Sequence, residues 1–181
     1  MNRKMVRVAS ALALALCIPS MGAAQMQSWK DVQVADLESM KGKFVGLANA
    51  FSAEQWEYVP MEGVRSTKDV FALMIAETHM FPVGWGFDPP AGAAAGFGPE
   101  MQRVSALSRA QILAQLGPSF DHMIGIVRGM NEAKRMESST YFGRQMPVHA
   151  NIATAMADMH EHLGQLIAYA RANRVVPPWS R

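Results

Sequence analysis

The chain has 181 residues, of which 50% are hydrophobic, and this length suits one domain with an adequate core rather than two. Its formal net charge is +2, and no basic stripe with interleaved aromatic residues runs along it. Composition therefore excludes a protein that binds nucleic acid or an anionic membrane mainly through charge.

Residues 1–24 have the layout of a secretory signal peptide. A basic start precedes an apolar run of eleven residues, Val8 to Ile18, and small residues follow. The run is too short for a stable transmembrane helix, which needs about 20 residues. We predict cleavage after Ala24, which sends residues 25–181 to the periplasm or the extracellular space without a membrane anchor. A buried N-terminal helix is the alternative.

Cleavage would change both the charge and the thiol content of the protein. The loss of Arg3, Lys4 and Arg7, with no acidic residue, lowers the formal charge from +2 to −1. Cys17 is the only cysteine, so the mature form would lack disulfides, thiolate nucleophiles and sulfur ligands. A lipid anchor at Cys17 is a second alternative, although Leu16 precedes it where a small residue is usual.

Four later segments have the hydrophobic period of a helix. They span about residues 31–50, 67–81, 109–130 and 147–172. Ser66 with Asp69, and Ser108 with Gln111, have the spacing of capping boxes at the second and third starts. Gly117-Pro118 is expected to kink the third segment or divide it in two.

A long Gly/Pro-rich loop, Pro82 to Glu100, separates the second and third helices. No alternation typical of strands is found. Four amphipathic helices with one long crossover predict an all-α, four-helix bundle.

The fourth helix carries the most informative polar residues. With about 100° per residue, Asp158 and His162 lie about 40° apart and face the bundle interior, whereas His160 lies on the opposite face. A carboxylate and an imidazole at this spacing suit one divalent ion. A buried ion pair is the structural alternative.

A third inward group is expected from the second helix. Glu77 falls in its apolar sector, and an unpaired buried carboxylate is costly. His79 faces nearly the other way and is expected at the surface or against a loop. Glu77, Asp158 and His162 converge if helices two and four are neighbours.

Three stretches resemble the DinB/YfiT-like superfamily, and the similarity covers about Val34 to Ser180. They read "FSAEQWEYVPMEGVRSTKDVFALMIAETHMF", "SRAQILAQLGPSFDHM" and "HEHLGQLIAYARANRVVPPWS". The resemblance implies an up-down-down-up four-helix bundle, often a homodimer. It also implies a zinc or nickel ion on three histidines, one from the second helix and two from the last. Some members resemble metal-dependent hydrolases or transferases that activate a thiol, and many have no known activity.

The chain departs from that pattern at two of the three ligand positions. His162 matches, but Asp158 replaces the other last-helix histidine, and the second-helix position falls on Met74. Methionine is a poor zinc ligand, so either Glu77 substitutes for it or the site is degraded.

Two functions are therefore considered, and whether the protein is an enzyme stays open between them. The first is an exported, metal-dependent hydrolase or transferase. Zinc, nickel or manganese would bind Asp158, His162 and Glu77, while Tyr169 and Gln165 orient a small-molecule substrate. The second is a non-catalytic bundle that binds a ligand or partner and whose polar cluster is structural.

Overall fold

The computed structural model describes residues 28–180, so the predicted signal peptide at residues 1–24 lies outside the described residues. This range contains seven α-helices, one β-hairpin and a terminal 3₁₀ turn at Pro178–Ser180. The elements are α1 (Trp29–Ala50), α2 (Ala53–Trp56), α3 (Thr67–Gly84), α4 (Phe97–Ser105), α5 (Arg109–Gly129), α6 (Glu132–Met136), β1 (Ser138–Tyr141), β2 (Arg144–Pro147) and α7 (Val148–Ala172). No helix of residues 28–180 is long and apolar enough to cross a bilayer.

The four predicted helices α1, α3, α5 and α7 form a bundle. Both α1 and α3 pack beside α5 and α7. Two contacts between each pair of neighbouring helices show whether the helices run parallel or antiparallel. Helix α1 is antiparallel to α5, through Glu38–Arg128 and Lys41–Asp121, and parallel to α7, through Trp29–His149 and Asp36–His160. Helix α3 is antiparallel to α7, through Glu77–His162 and Trp85–Asn151. Hence α1 and α7 run one way and α3 and α5 the other, which confirms the up-down-down-up bundle.

Helix α3 is the most enclosed element of the bundle. It contacts α4 and β1 as well as α5 and α7, and every residue from Val70 to Pro82 is buried. Polar side chains in this stretch must therefore find partners inside the protein. Thr78 does so locally, because its Oγ1 donates to the carbonyl oxygen of Met74 at 2.8 Å.

Helix ends follow the predicted capping chemistry. Both reciprocal hydrogen bonds of a capping box are present at Ser66/Asp69 and at Ser108/Gln111, which confirms these two predictions. Gly117-Pro118 was expected to kink the third helix or to divide it, and the division is wrong, since α5 continues through Pro118 as one helix. Contacts of α5 with α1 and α3 on either side stabilise the helix despite the missing backbone donor.

The long crossover is more ordered than the sequence suggested. Helix α3 extends to Gly84, and α4 begins at Phe97 within the predicted loop. Pro99 is compatible with α4 because it falls in the first turn, where backbone N–H groups have no intrahelical acceptor. Gly96, with φ of 93°, turns the chain into this helix.

The expectation of no strands is also wrong. β1 and β2 pair as an antiparallel hairpin in which Tyr141 lies opposite Arg144. Phe142 and Gly143 form its two-residue tip with φ of 44° and 79°, as a tight hairpin turn requires. Four-residue strands with mixed polarity give no alternation long enough to detect.

A buried ionic cluster anchors α4 to α3. The carboxylate of Glu100, which is fully buried, accepts hydrogen bonds from Arg103 Nε at 2.8 Å, the backbone N–H of Ala94 at 2.7 Å and His79 Nδ1 at 2.7 Å. His79 is therefore buried against Glu100 of the predicted loop, so the expected loop contact is present and the alternative surface position is wrong. Burial alone would raise the pKa of Glu100, but these donors outweigh burial and lower that pKa to about 2.

We expect Glu100→Ala to lower the free energy of unfolding by about 3–5 kcal/mol, because the change leaves buried donors unpaired. Glu38→Ala is the control, since Glu38 pairs with Arg128 at the exposed surface, where such a pair contributes about 1 kcal/mol or less. Urea unfolding at pH 7 measures both. Equal losses for the two variants would contradict an anchoring role for Glu100.

Candidate metal centre

Glu77, Asp158 and His162 come together between α3 and α7. Each offers one ligand atom, and these three atoms all lie within 4.8 Å of one another. The two residues of α7 are one turn apart and project the same way, and α3 and α7 are neighbours as the convergence requires. His160 points away, and its Nε2 contacts Asp36 Oδ2 at 2.8 Å on the exposed surface.

The carboxylate of Glu77 is the unusual member of the cluster. Its residue is 3% exposed, and its Oε1 lies 3.4 Å from His162 Nε2. Its Oε2 is buried and has no hydrogen-bond partner among residues 28–180. An unsatisfied buried carboxylate oxygen is costly, so this atom is suited to bind a ligand.

A chain of hydrogen bonds leads away from His162. Gln165 Oε1 lies 3.3 Å from His162 Nδ1, Gln165 Nε2 donates to the Tyr169 hydroxyl at 2.7 Å, and that hydroxyl donates to the carbonyl oxygen of Arg65 at 3.0 Å. A carbonyl only accepts, so Tyr169 must donate to it and accept from the Gln165 amide. Gln165 then presents its oxygen to the imidazole, and His162 Nδ1 must carry a proton.

This order of donors sets the chemistry of the other imidazole nitrogen. In neutral His162 a protonated Nδ1 leaves Nε2 with its lone pair, and Nε2 is the atom that faces Glu77. A histidine that binds a metal commonly donates its second N–H to an outer partner in this way. Gln165 and Tyr169 thus orient the imidazole of His162. That they also contact a substrate stays a prediction.

Burial and charge oppose each other at this cluster. Burial raises the pKa of Glu77 to about 7, since the negative charge of Asp158 adds to it and His162 offsets only part of it. Burial lowers the pKa of His162, but its hydrogen bond and charge interaction with Glu77 outweigh burial, so the net shift is upward. Metal-free Glu77 therefore keeps its proton to a higher pH than an ordinary glutamate does.

The donor set fits a divalent cation. Two carboxylates and one neutral imidazole carry a charge of −2 when deprotonated, which a divalent ion neutralises. Such an ion would also give Glu77 Oε2 the partner that it lacks among the described residues. Met74, where the superfamily pattern places a histidine, is fully buried in the apolar core. Glu77, one turn later, is the α3 residue that reaches the cluster.

Tyr141 of the hairpin is a neighbour of the cluster that the sequence did not reveal. Burial, together with the negative charges of Asp158, Glu77 and Glu161, raises its pKa to about 12. The phenol therefore stays protonated and is a hydrogen-bond donor at the edge of the cluster.

Comparison with solved structures establishes the fold family. A DinB-like protein from Bacillus subtilis has a TM-score of 0.62 at 20% identity, over 83% of this chain and 97% of that chain. YfiT from Bacillus subtilis also has a TM-score of 0.62, at 14% identity over 84% and 93% of the two chains. This protein has the DinB-like fold. The sequence matches no family model and no curated protein.

Other proteins with the DinB-like fold are described as enzymes. YfiT is described as "a probable metal-dependent hydrolase with an unusual four-helix bundle topology". A mycothiol-dependent maleylpyruvate isomerase has a TM-score of 0.59 at 12% identity, over 78% of this chain and 63% of that longer chain. At these identities the likeness shows the shared bundle, and the chemistry must be argued from the residues of this chain.

The raised pKa of Glu77 predicts a pH-dependent stability in metal-free protein. Folded Glu77 binds its proton up to about pH 7, against 4.5 for the ordinary group. The folded state therefore holds more protons between these values, and stability falls as pH rises from 4.5 to 7. Glu77→Gln removes this loss. We therefore expect the free energy of unfolding of the variant to exceed that of the parent at pH 8 by on the order of 2 kcal/mol, and to equal it near pH 5.

Urea unfolding in the presence of a chelator tests this expectation. Comparing the variant with its parent at each pH cancels the contributions of His79 and His122, whose pKa values burial lowers. The contribution of His162 does not cancel, because Glu77 raises its pKa, and its loss in the variant acts in the same direction as the loss of Glu77. Glu161→Gln is the matched control, because Glu161 is exposed on α7. A pH profile that Glu77→Gln leaves unchanged would show that this carboxyl group is not strained by burial.

Proposed function

We propose that this protein is a metal-dependent enzyme whose divalent ion binds Glu77, Asp158 and His162. The observation that carries the proposal is the carboxylate oxygen of Glu77, buried and without a partner among the described residues, beside an imidazole nitrogen with a free lone pair. The description of YfiT as a probable metal-dependent hydrolase supports the same class of chemistry.

Hydrolysis or group transfer is the reaction class that this site suits. When bound, the ion would lower the pKa of a water ligand or polarise a carbonyl group of the substrate. Glu77 and Asp158 hold negative charge at the centre, and His162 is oriented by Gln165 from behind. The protonated phenol of Tyr141 supplies a donor for an oxygen of the substrate at the edge of the cluster.

The metal preference follows from the ligand types. Zinc, nickel and manganese are all candidates, but carboxylate oxygens favour manganese, whereas imidazoles favour zinc and nickel. Asp158 supplies an oxygen where the superfamily pattern has a nitrogen. A site with Asp158 is therefore expected to prefer manganese more than a site with three histidines would.

Export and assembly are separate parts of the proposal. The basic start and apolar run of residues 1–24 favour export to the periplasm or the extracellular space. In that location a cytosolic thiol is scarce, so hydrolysis suits the site better than thiol transfer. A homodimer is proposed from the family resemblance.

A non-catalytic, ligand-binding bundle is the second candidate function. The observation in its favour is that His162 already contacts Glu77 directly and is anchored to the Arg65 carbonyl through Gln165 and Tyr169. A hydrogen-bonded network of this kind stabilises a bundle without any ion.

Metal content and metal-dependent stability distinguish the two functions. We expect purified protein incubated with manganese or zinc to retain about one ion per chain by elemental analysis. At an ion concentration 100 times Kd, binding adds about 2.7 kcal/mol to the free energy of unfolding. That raises the Tm by several degrees for a domain of this size.

Asp158→Ala is expected to abolish this metal-dependent rise in Tm. His160→Ala is the matched control, because His160 lies one turn or less away but faces Asp36 at the surface. If Asp158→Ala lowers the Tm equally with and without metal, the cluster is structural. Absence of metal from the parent protein after incubation with manganese, zinc and nickel would reject the enzyme proposal.

Asp158→His should shift the metal preference toward zinc and nickel, because it replaces an oxygen ligand with an imidazole. Competition between manganese and nickel, followed by elemental analysis of the protein, measures the shift. Glu161→His on the exposed face of α7 controls for an added histidine. An unchanged ratio of the two metals in Asp158→His would contradict ligation at position 158.

A further inference from the structure

An apolar cavity of about 270 Å³ opens between the C-terminal end of α3, the start of α4 and the hairpin. The residues that matter for its chemistry are Met80, Phe81, Val83, Phe97, Tyr141 and Phe142. An apolar cavity of about 150 Å³ is enough to hold benzene. The larger volume here leaves room for one aromatic ring with a short substituent.

The walls of the cavity select an uncharged, flat group. None of the described residues that line it carries a side chain charged at neutral pH. The ring of Tyr141 lies 5.8 Å from that of Phe81 and 4.6 Å from that of Phe142, centroid to centroid. Aromatic rings at these separations pack well against a further ring in edge-to-face or offset geometry.

The position of the cavity connects it to the candidate metal centre. Met80 and Phe81 follow Glu77 by three and four residues on α3, which is about one helical turn, or 5.4 Å, along the axis. Tyr141 lines the cavity and borders the cluster as well. Glu77, Asp158 and His162 do not themselves line the cavity, so Tyr141 is the side chain that links a ligand in the cavity to the cluster.

Phe142 at the hairpin tip is not explained by packing of the bundle. It is 81% exposed, and its φ of 44° lies in the left-handed region, which costs a bulky residue about 1 kcal/mol or more. The two-residue hairpin turn accounts for this backbone angle, but it does not require a large apolar side chain exposed to solvent. At the rim of the cavity, the exposed ring gains an apolar contact once the cavity is filled.

We propose that this cavity binds an uncharged aromatic group of the substrate, whose polar reacting group extends to Glu77, Asp158 and His162. The identity of the reacting end rests on the proposed function. The recognition of the ring rests on the cavity alone, so the two parts can fail separately.

Binding of benzamide compared with acetamide isolates the ring, since the two probes share an uncharged amide. Ligand-observed NMR titration of the full mature chain, with and without manganese, gives both Kd values. We expect benzamide to bind at least about tenfold more tightly than acetamide. Equal binding of the two probes would overturn the proposal.

Val83→Trp is expected to fill the cavity and to weaken benzamide binding at least about tenfold. Val59→Trp is the matched control, because Val59 has similar exposure, 47% against 39%, and does not line the cavity. Phe142→Ser changes a side chain too exposed to be needed for folding, and we expect it to weaken benzamide binding about fivefold. Unchanged benzamide binding in both Val83→Trp and Phe142→Ser would overturn the proposal.

Elemental analysis of the same samples separates this inference from the proposed function. We expect Val83→Trp to retain metal like the parent while it loses benzamide. If the parent binds benzamide in the expected pattern but takes up no metal, the aromatic site stands and the metal-dependent function fails. If the parent takes up metal but Val83→Trp and Phe142→Ser leave benzamide binding unchanged, the aromatic site fails and the metal centre stands.

Discussion

The burial of one carboxylate in the middle of α3 is the constraint on which the site depends. Helix α3 is enclosed along Val70–Pro82 by other elements, so Glu77 is only 3% exposed. Removing a charged group from water costs several kcal/mol unless partners replace the water. The only helix that brings such partners to Glu77 within the described residues is α7, with His162 and Asp158.

A second buried carboxylate shows how differently the same problem can be solved. Glu100 accepts hydrogen bonds from Arg103, Ala94 and His79, and its pKa falls to about 2. Glu77 has one long contact, at 3.4 Å, and its pKa rises to about 7. A saturated carboxylate suits a structural anchor, whereas an unsaturated one suits a ligand site. Both clusters include a residue of α3, His79 in one and Glu77 in the other, yet only the Glu77 cluster leaves a carboxylate oxygen without a partner among the described residues.

Most of the bundle was predictable because helical period and capping are local properties. The capping boxes at Ser66 and Ser108 formed as their spacing indicated. The hairpin and α4 were missed because short elements carry too few residues for a period to emerge. His79 was expected at the surface or against a loop, and it contacts Glu100 of the predicted loop, which the structure shows to be part of α4.

The sequence by itself determined which residues of α7 share a face, because successive residues of any α-helix are rotated by about 100°. That rule brought Asp158 and His162 together and separated His160 from them. Only the tertiary structure decided what lies opposite that face: Glu77 from α3, the Gln165–Tyr169–Arg65 hydrogen bonds that orient His162, and Tyr141 with its apolar cavity. These contacts join residues distant in the chain, and their geometry depends on how helices and hairpin pack rather than on any local repeat.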